Sequence, residues 1–228
     1  MSPTTSPGTL RIDLHVHTTA SPDSHLTVED AFAAARKAGL DGIAITDHNS
    51  MANISAAEEI AGKEGMVFIR GIEVSTIEGH LLAYGIPRPP KSLRPLSETV
   101  DAIHEMGGIA VLAHPFRSVH GAGKKLGASV PPLDAVETMN GHTSARTNKS
   151  ASRLALRMEL PATGGSDAHD AKEVGRCYTE FDRMAPDVVS IFRAGRPRAC
   201  GVDLSLSGRI VISVGNATKR ARRGLKPI

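Results

Sequence analysis

Five short apolar runs in this chain each end on a histidine, an aspartate or a glutamate, and this repeated pattern constrains the fold more than any other feature. The polar residues that close the runs are, in chain order, His15 with His17, Asp47 with His48, Glu73, His114, and Asp167 with His169. Polar groups in such positions need buried partners, and a metal is one partner that could serve them all. The C-terminal ends of parallel strands meet at one rim of an α/β barrel. The pattern therefore predicts a metal site at the rim of such a barrel.

The order of the predicted elements supports the barrel. Short apolar runs alternate with helical patterns, which is typical of βα units and a parallel sheet. Leu10–Val16 is predicted as the first strand, and Thr27 as the N-cap of an alanine-rich helix. Seven or so strands in a chain of this length favour a barrel over an open sheet. The predicted domains are residues 1–9 as a disordered N-terminus, 10–200 as the barrel, and 201–228 as a C-terminal extension with a basic tail.

Composition and charge narrow the function classes. Aromatic residues make up 3% of the chain and tryptophan is absent, so stacking surfaces for bases are scarce and nucleic acid is not the favoured partner. The net charge is +3, and the tail from Gly201 onward is interpreted as a solvated terminus in preference to a nucleic-acid contact. Cys177 and Cys200 have no disulfide or CxxC spacing, which predicts a reducing, cytoplasmic location. No apolar run is long enough to span a membrane, so no membrane partner is expected.

The placement of the histidines adds to the metal prediction. Side chains alternate along a strand, so His15 and His17 are expected on the same side, where two neutral imidazoles form a chelate. His80 differs from the others, because it opens an apolar run instead of closing one. His120 and His142 lie in loops that follow rim residues, and both are candidates to face a substrate.

The motifs that contain these residues resemble those of the polymerase and histidinol phosphatase (PHP) superfamily over roughly residues 10–181. The matching motifs are DLHVHT from Asp13, SPDS around Asp23, ITDHN from Ile45, GIE from Gly71, a histidine at position 80, AHP from Ala113 and GSDAH from Gly165. The resemblance implies a fold of the α/β class, a distorted (β/α)7 barrel. It also implies up to three divalent metals at the C-terminal face of the strands.

The resemblance further implies how nine candidate ligands divide among three metals. The first metal would be held by His15, His17, Glu73 and Asp167. Glu73 would bridge to a second metal that is also bound by His80 and His114. The third would be held by Asp23, His48 and His169. Every one of these positions carries a competent ligand type, which favours an active enzyme. Asp13 and Asp47 flank ligand histidines and are interpreted either as orienting groups or as caps of turns.

Three residues are candidates for substrate binding. Arg117 follows the AHP motif directly, and its guanidinium group suits bidentate binding of a phosphate. Arg146 is a weaker candidate at the start of a later helix, and surface placement is the alternative for both arginines. Asn140 aligns with a rim position of the family, although an amide that closes a turn before Gly141 explains it equally well. The segment Arg117–Pro132 is either a lid or a loop without a role.

The ligand chemistry predicts the reaction. Nitrogen and oxygen ligands without a thiolate suit Zn, Mn or Fe. Three divalent ions would exceed the charge of Asp23, Glu73 and Asp167 by three, so the site would favour an anion such as a phosphate monoester. The predicted nucleophile is a metal-bound hydroxide, and His120 is a candidate proton donor to the leaving group.

The predicted function is hydrolysis of a small phosphate ester, either a nucleotide or a phosphorylated metabolite. One alternative is cleavage of a carboxylic ester or an amide at the same site. Another is a nucleic-acid-processing role in which the basic tail docks the nucleic acid. The oligomeric state does not follow from the sequence.

Overall fold

The computed structural model describes residues 8–126, 130–182, 188–194 and 197–203. Residues 1–7 of the predicted disordered N-terminus and the basic tail from 204 onward lie outside these ranges, so both remain predictions, as do the domain boundaries. The strands are β1 (Leu10–Val16), β2 (Gly42–Ile45), β3 (Val67–Ser75), β4 (His80–Tyr84), β5 (Ile109–Leu112), β6 (Ala135–Asn140), β7 (Ala162–Gly165), β8 (Cys177–Phe181) and β9 (Arg198–Gly201). The helices are α1 (Val28–Lys37), α2 (Ile54–Glu64), α3 (Leu96–Glu105), α4 (Ala145–Arg157) and α5 (Val188–Ala194).

The strands form one mixed sheet in the order β7-β6-β5-β4-β3-β2-β1-β8-β9. Strands β1, β2 and β3 pair in parallel, as do β5, β6 and β7. Strand β4 is antiparallel to both of its neighbours, and β8 and β9 add an antiparallel pair next to β1. The predicted parallel sheet is therefore mixed, with antiparallel pairing at these strands, and the short strand β9 was not predicted.

The sheet curves until its two halves meet, which confirms the predicted barrel-like fold, although with nine described strands instead of seven. The chain that follows β7 returns to the end of β1. There His17 N donates to Ala168 O at 2.9 Å, and Asp167 N donates to His15 O at 2.8 Å. A side chain at Gly165 would place its Cβ 2.4 Å from Cβ of His15. Only glycine therefore allows β7 to approach β1 this closely.

The antiparallel direction of β4 explains the unusual position of His80. The parallel strands end at one rim of the barrel, and an antiparallel neighbour begins at that same rim. His80 pairs with Ser75, the last residue of β3. A ligand at the start of β4 therefore joins ligands at the ends of the other strands.

Apolar side chains fill the space below the rim. Tyr84 is fully buried among them, and its hydroxyl group donates to Leu14 O at 2.7 Å, so the buried hydroxyl has its partner. The ring of Phe192 stacks on Tyr84 and meets Phe181 edge-on. The polar cluster at the rim thus rests on a packed base.

Helices cover the outer side of the sheet. Helix α1 begins after Thr27, whose side chain accepts a hydrogen bond from Asp30 N at 3.1 Å, which confirms the predicted cap. Phe32 is fully buried on the face of α1 that packs against Ile43 and Ile45. Throughout the described ranges, every helix is too short or too polar to traverse a lipid bilayer.

Candidate metal centre

Glu73 lies at the centre of the polar cluster on the rim. Its Oε1 atom is 2.7 Å from Nδ1 of His80 and 2.9 Å from Nε2 of His114. Its Oε2 atom is 3.3 Å from Nε2 of His15, 3.1 Å from Nε2 of His17 and 3.1 Å from Nδ1 of His48. The two oxygens of one carboxylate therefore face two different groups of histidines, which is the arrangement that a bridging ligand requires.

The hydrogen bonds of His15 and His17 show which ring nitrogens carry protons. Nδ1 of His15 donates to Oε1 of Glu137 at 2.9 Å, because an ionised carboxylate can only accept. The hydroxyl proton of Ser21 is donated to Asp47 at 2.7 Å, so Nδ1 of His17 must donate to the Ser21 oxygen at 3.0 Å. In neutral rings, both Nε2 atoms then carry lone pairs.

These two lone pairs face each other with the Nε2 atoms 3.0 Å apart. Such a contact is repulsive unless a proton or a metal cation lies between the two nitrogens. Asp167 Oδ1 is 3.7 Å from Nε2 of His15 and 3.3 Å from Nε2 of His17. Donors bound to one metal at about 2.1 Å lie roughly 3.0 to 3.4 Å apart. The donor set and its spacing therefore fit a divalent metal.

Buried polar atoms without hydrogen bonds also support a metal site. Within the described part of the chain, Glu73 Oε2, Asp167 Oδ1 and His114 Nδ1 are buried and have no hydrogen-bond partner. Because buried polar groups are nearly always satisfied, each such atom needs an explanation. Two of the three are carboxylate oxygens that face imidazole nitrogens, which is where a metal ion would bind.

The electrostatics of the cluster favour positive charge. Burial disfavours the charged form of His17, but the nearby carboxylates of Asp167 and Glu73 outweigh it and raise the pKa of His17 to about 9. Burial likewise disfavours ionised Glu73, whereas His80 and His48 hold the pKa of Glu73 well below its usual range. A carboxylate field that attracts protons also attracts metal cations, and the two compete for the same nitrogens.

The remaining predicted ligands lie beside these. Nε2 of His169 is 3.4 Å from Oδ2 of Asp23, and Nε2 of His48 is 3.8 Å from the same oxygen. The rings of His17 and His169 stack with centroids 4.4 Å apart. All nine predicted ligands thus lie in one continuous cluster, and their division among three metals stays a prediction.

Two of the candidate ligands have an unusual backbone. His114 has φ of +24° and Asp167 has φ of +57°, in the region that residues with a side chain rarely adopt. Such strain costs on the order of 1–3 kcal/mol per residue and concentrates at functional sites. The hydrogen bond from His114 N to Glu137 Oε2 at 2.8 Å and that from Asp167 N to His15 O help to hold both conformations.

The predicted substrate residues have different locations. Arg117 lies at the cluster and donates to Asp167 Oδ2 at 2.8 Å. Asn140 is fully buried there, and its Nδ2 donates to Glu137 at 3.1 Å and to Asp167 at 3.3 Å. Arg146 is exposed on the first turn of α4, and among the described residues it has no ion pair with a candidate ligand.

The loop after β5 packs closely against the cluster. The ring of His120 stacks on that of His80, with centroids 4.5 Å apart and planes 10° from parallel. A Cβ at Gly79 would lie 2.6 Å from His120 O, so this loop lies directly on the turn between β3 and β4. Burial, with His80 and Arg117, lowers the pKa of His120 to about 4. A neutral imidazole at pH 7 suits proton acceptance better than the predicted donation.

The sequence analysis named Asp47 as a candidate orienting group but did not single out Glu137. Glu137 contacts His15, His114 and Asn140, and it is buried. An acidic residue inside an apolar strand was the available signal. Asp47 acts on His17 through Ser21, as an orienting group would. Asp13, in contrast, accepts from the backbone amides of residues 15, 166 and 175, so it joins segments of backbone instead of orienting a ring.

Replacement of Glu137 by glutamine is expected to weaken metal binding by roughly 10- to 100-fold, the usual cost of losing a group that orients a ligand. The glutamine amide would turn an N–H towards a donor, either His15 Nδ1 or His114 N. Calorimetric metal titration measures the effect, and Glu98→Gln, at an exposed pair with Arg94, is the matched control. Equal affinities in Glu137→Gln and Glu98→Gln would contradict the positioning role.

Comparisons with known proteins place this geometry in a family. The sequence matches the PHP domain model over residues 13–123 and the PHP-associated model over residues 145–199. An uncharacterized protein of Methanocaldococcus jannaschii is 31% identical over 166 residues, which cover 67% of this chain and 94% of that protein. A probable phosphatase of Shewanella amazonensis is 24% identical over 207 residues, which cover 75% of this chain and 80% of that protein.

A solved structure has the same fold. It is a two-domain protein of Bacteroides vulgatus that contains a predicted PHP-like metal-dependent phosphoesterase, and it superposes with a TM-score of 0.70 at 19% identity, over 92% of this chain and 70% of that one. The motifs, the fold and the sequence match agree, and this chain belongs to the PHP domain family.

Proposed function

We propose that this chain is a metal-dependent phosphoesterase that hydrolyses small phosphate esters at the cluster around Glu73. The observation that carries the proposal is the contact of one buried carboxylate with five histidines, with an arginine at the edge of the same cluster. Divalent ions in such a cluster make water more acidic and neutralise charge on a phosphoryl group. Zn, Mn and Fe suit the donor set.

The residues of the chain have separate tasks in this proposal. The nine predicted ligands, His15, His17, Asp23, His48, Glu73, His80, His114, Asp167 and His169, would hold the metals. Glu137 and the pair Ser21 and Asp47 hold the Nδ1 protons of His15 and His17, so Nε2 is the ring nitrogen that would bind a metal. The packed apolar base below the rim excludes water from beneath the cluster.

Arg117 is the proposed phosphate-binding residue. Its Nη1 atom lies 2.8 Å from Asp167, and about a third of its side chain is exposed to solvent. A metal bound to Asp167 would compete with this ion pair and leave the guanidinium group able to bind an anion. Asn140 is bonded to Glu137 and Asp167, so its proposed role is to position these two carboxylates.

Arg117→Ala is expected to lower kcat/KM for a phosphate monoester by roughly 10- to 100-fold, since a hydrogen bond to a charged group contributes about 1.5–3 kcal/mol. Arg146→Ala, which removes the other predicted arginine, should have no effect. Steady-state kinetics, together with inhibition by inorganic phosphate, test the prediction. If Arg117→Ala leaves phosphate inhibition unchanged, Arg117 does not bind the phosphate.

A substrate panel tests the function itself. The full chain is loaded with Zn, Mn or Fe and assayed on nitrophenyl phosphate, nitrophenyl acetate, nucleotides, sugar phosphates and a single-stranded oligonucleotide. Metal-dependent release of phosphate from a monoester, lost in the His15→Ala/His17→Ala variant, supports the proposal. Turnover of the acetate alone would replace the phosphoesterase by an ester hydrolase. Cleavage of the oligonucleotide without monoester activity would replace it by a nuclease.

A further inference from the structure

His142 is a buried histidine at the edge of the cluster that the sequence could not assign to any metal. It follows β6, and its side chain is only 2% exposed. Its backbone N–H donates to Oδ1 of Asn140 at 2.9 Å, while Nδ2 of the same asparagine contacts Asp167. The position of His142 is therefore coupled to a candidate metal ligand through Asn140.

Glu173 determines which nitrogen of His142 carries the proton. Oε2 of Glu173 is 3.3 Å from Nε2 of His142 and also accepts from His169 N at 2.9 Å. An ionised carboxylate can only accept hydrogen bonds, so Nε2 of His142 donates and Nδ1 carries a lone pair.

Nothing in the described part of the protein uses that lone pair. Nδ1 of His142 is buried and has no hydrogen-bond partner among the described residues. His142, Asp167 and His169 each offer a ligand atom, and these three atoms lie within 4.8 Å of one another. The ring of His142 is nearly parallel to that of His169, at 22° and with centroids 5.3 Å apart.

His142 with Glu173 repeats the arrangement of His15 with Glu137. In both pairs, one ring nitrogen donates to a buried carboxylate that also accepts a backbone N–H from another candidate ligand, His169 or His114. Histidines that bind metals almost always donate their other ring N–H to such a partner. The nitrogen left free is Nδ1 in His142 and Nε2 in His15, and Glu173 makes both of its contacts with Oε2 whereas Glu137 uses both oxygens.

We propose that His142 is a tenth metal ligand, which binds a divalent ion through Nδ1 together with Asp167 and His169, and that Glu173 is its positioning residue. The inference rests on the proposed metal cluster and extends it on the side of Asp167. It assigns a role to the histidine of the Asn140-Gly141-His142 turn, which is outside the nine predicted ligand positions.

Long-range ¹H–¹⁵N NMR of the histidine rings tests the proposal in the unmodified protein. On saturation with Zn²⁺, the Nδ1 resonance of His142 is expected to move to the position of a metal-bound nitrogen, while Nε2 keeps its proton. If Nδ1 keeps the resonance of an unligated nitrogen while those of His15 and His17 shift, the proposal is overturned and the metal cluster stands. If no histidine resonance responds to Zn²⁺, the proposed function fails as well.

Metal titration of variants gives a second, independent readout. His142→Gln is expected to lose one bound metal or to weaken one binding step by at least about 10-fold, the lower end of the cost of losing even an orienting group. His104→Gln is the matched control, because His104 also pairs with a carboxylate, Asp134, at 2.8 Å but lies on α3 away from the cluster. The same stoichiometry and affinity in both variants would overturn the proposal.

Glu173→Gln tests whether the effect of His142→Gln comes from a lost metal ligand and not from a general loss of packing. It is expected to weaken the same binding step as His142→Gln, and the double variant should lose less than the two single effects added together, since residues in one hydrogen-bonded unit are not independent. Fully additive effects would overturn the positioning role of Glu173. Circular dichroism and the melting temperature of each variant establish that it is folded.

Discussion

Glu73→Gln is expected to lower the proposed phosphoesterase activity by about 1,000-fold, because a metal cluster contributes several kcal/mol of charge stabilisation and each 1.36 kcal/mol corresponds to a factor of ten in rate. The substitution removes the negative charge that contacts His80 and His114 on one oxygen and His15 and His17 on the other. An amide of the same size keeps the packing but cannot bridge two cations as a carboxylate does. The measurements are kcat/KM and the metal content of the purified protein.

The control for this prediction is Glu59→Gln, at an exposed residue that pairs with Lys63 on the surface of α2. It removes the same charge and should leave both quantities unchanged. Metal content at the level of the wild type in Glu73→Gln, together with an activity loss below tenfold, would contradict the bridging role. Loss of metal with retained activity would contradict the metal-dependent reaction.

Removal of the metals with a chelator is expected to lower the melting temperature by about 10 °C. A ligand at 1,000 times its Kd stabilises the folded state by about 4.1 kcal/mol, and for a chain of this size each kcal/mol shifts Tm by roughly 2–4 °C. The physical reason is that the buried cluster holds carboxylate oxygens and imidazole lone pairs close together. A bound cation would neutralise the repulsion between these electron-rich atoms. Differential scanning calorimetry with and without chelator measures the shift.

Addition of Zn²⁺, Mn²⁺ or Fe²⁺ should restore the melting temperature, and the ion that restores both stability and activity identifies the working metal. The Glu73→Gln variant is the control, since a protein that binds metal poorly should respond little to the chelator. An identical Tm with and without chelator in the unsubstituted protein would show that the cluster binds no metal under these conditions.

The charge balance of the cluster differs from the one that the sequence predicted. Counting only Asp23, Glu73 and Asp167 left a surplus of three positive charges for three metals. Further buried carboxylates contact the ligands or their neighbours, among them Asp47, Glu137 and Glu173. They would offset much of that surplus, so the proposed binding of a phosphate depends more on Arg117 than the sequence suggested.

Most of the fold was predictable, because local patterns determine it. The strand Leu10–Val16 has the predicted bounds, and the helix capped by Thr27 begins where the sequence predicts. The direction of β4 was not predictable, since apolar alternation is the same in parallel and antiparallel strands. Strand β9 carries no apolar run, and its pairing with β8 depends on a neighbour that is distant in sequence.

The sequence by itself determined the barrel-like fold, the rim on which the polar residues meet, and the family, because strand periodicity and short motifs are local properties of the chain. Only the tertiary structure decided which carboxylate faces which histidine. The contacts of His15 with Glu137 and of His142 with Glu173 join residues 122 and 31 positions apart. The protonated nitrogen of each ring, and so the atom that is free to bind a metal, depends on these contacts, which exist only after the sheet has curved and brought its two halves together.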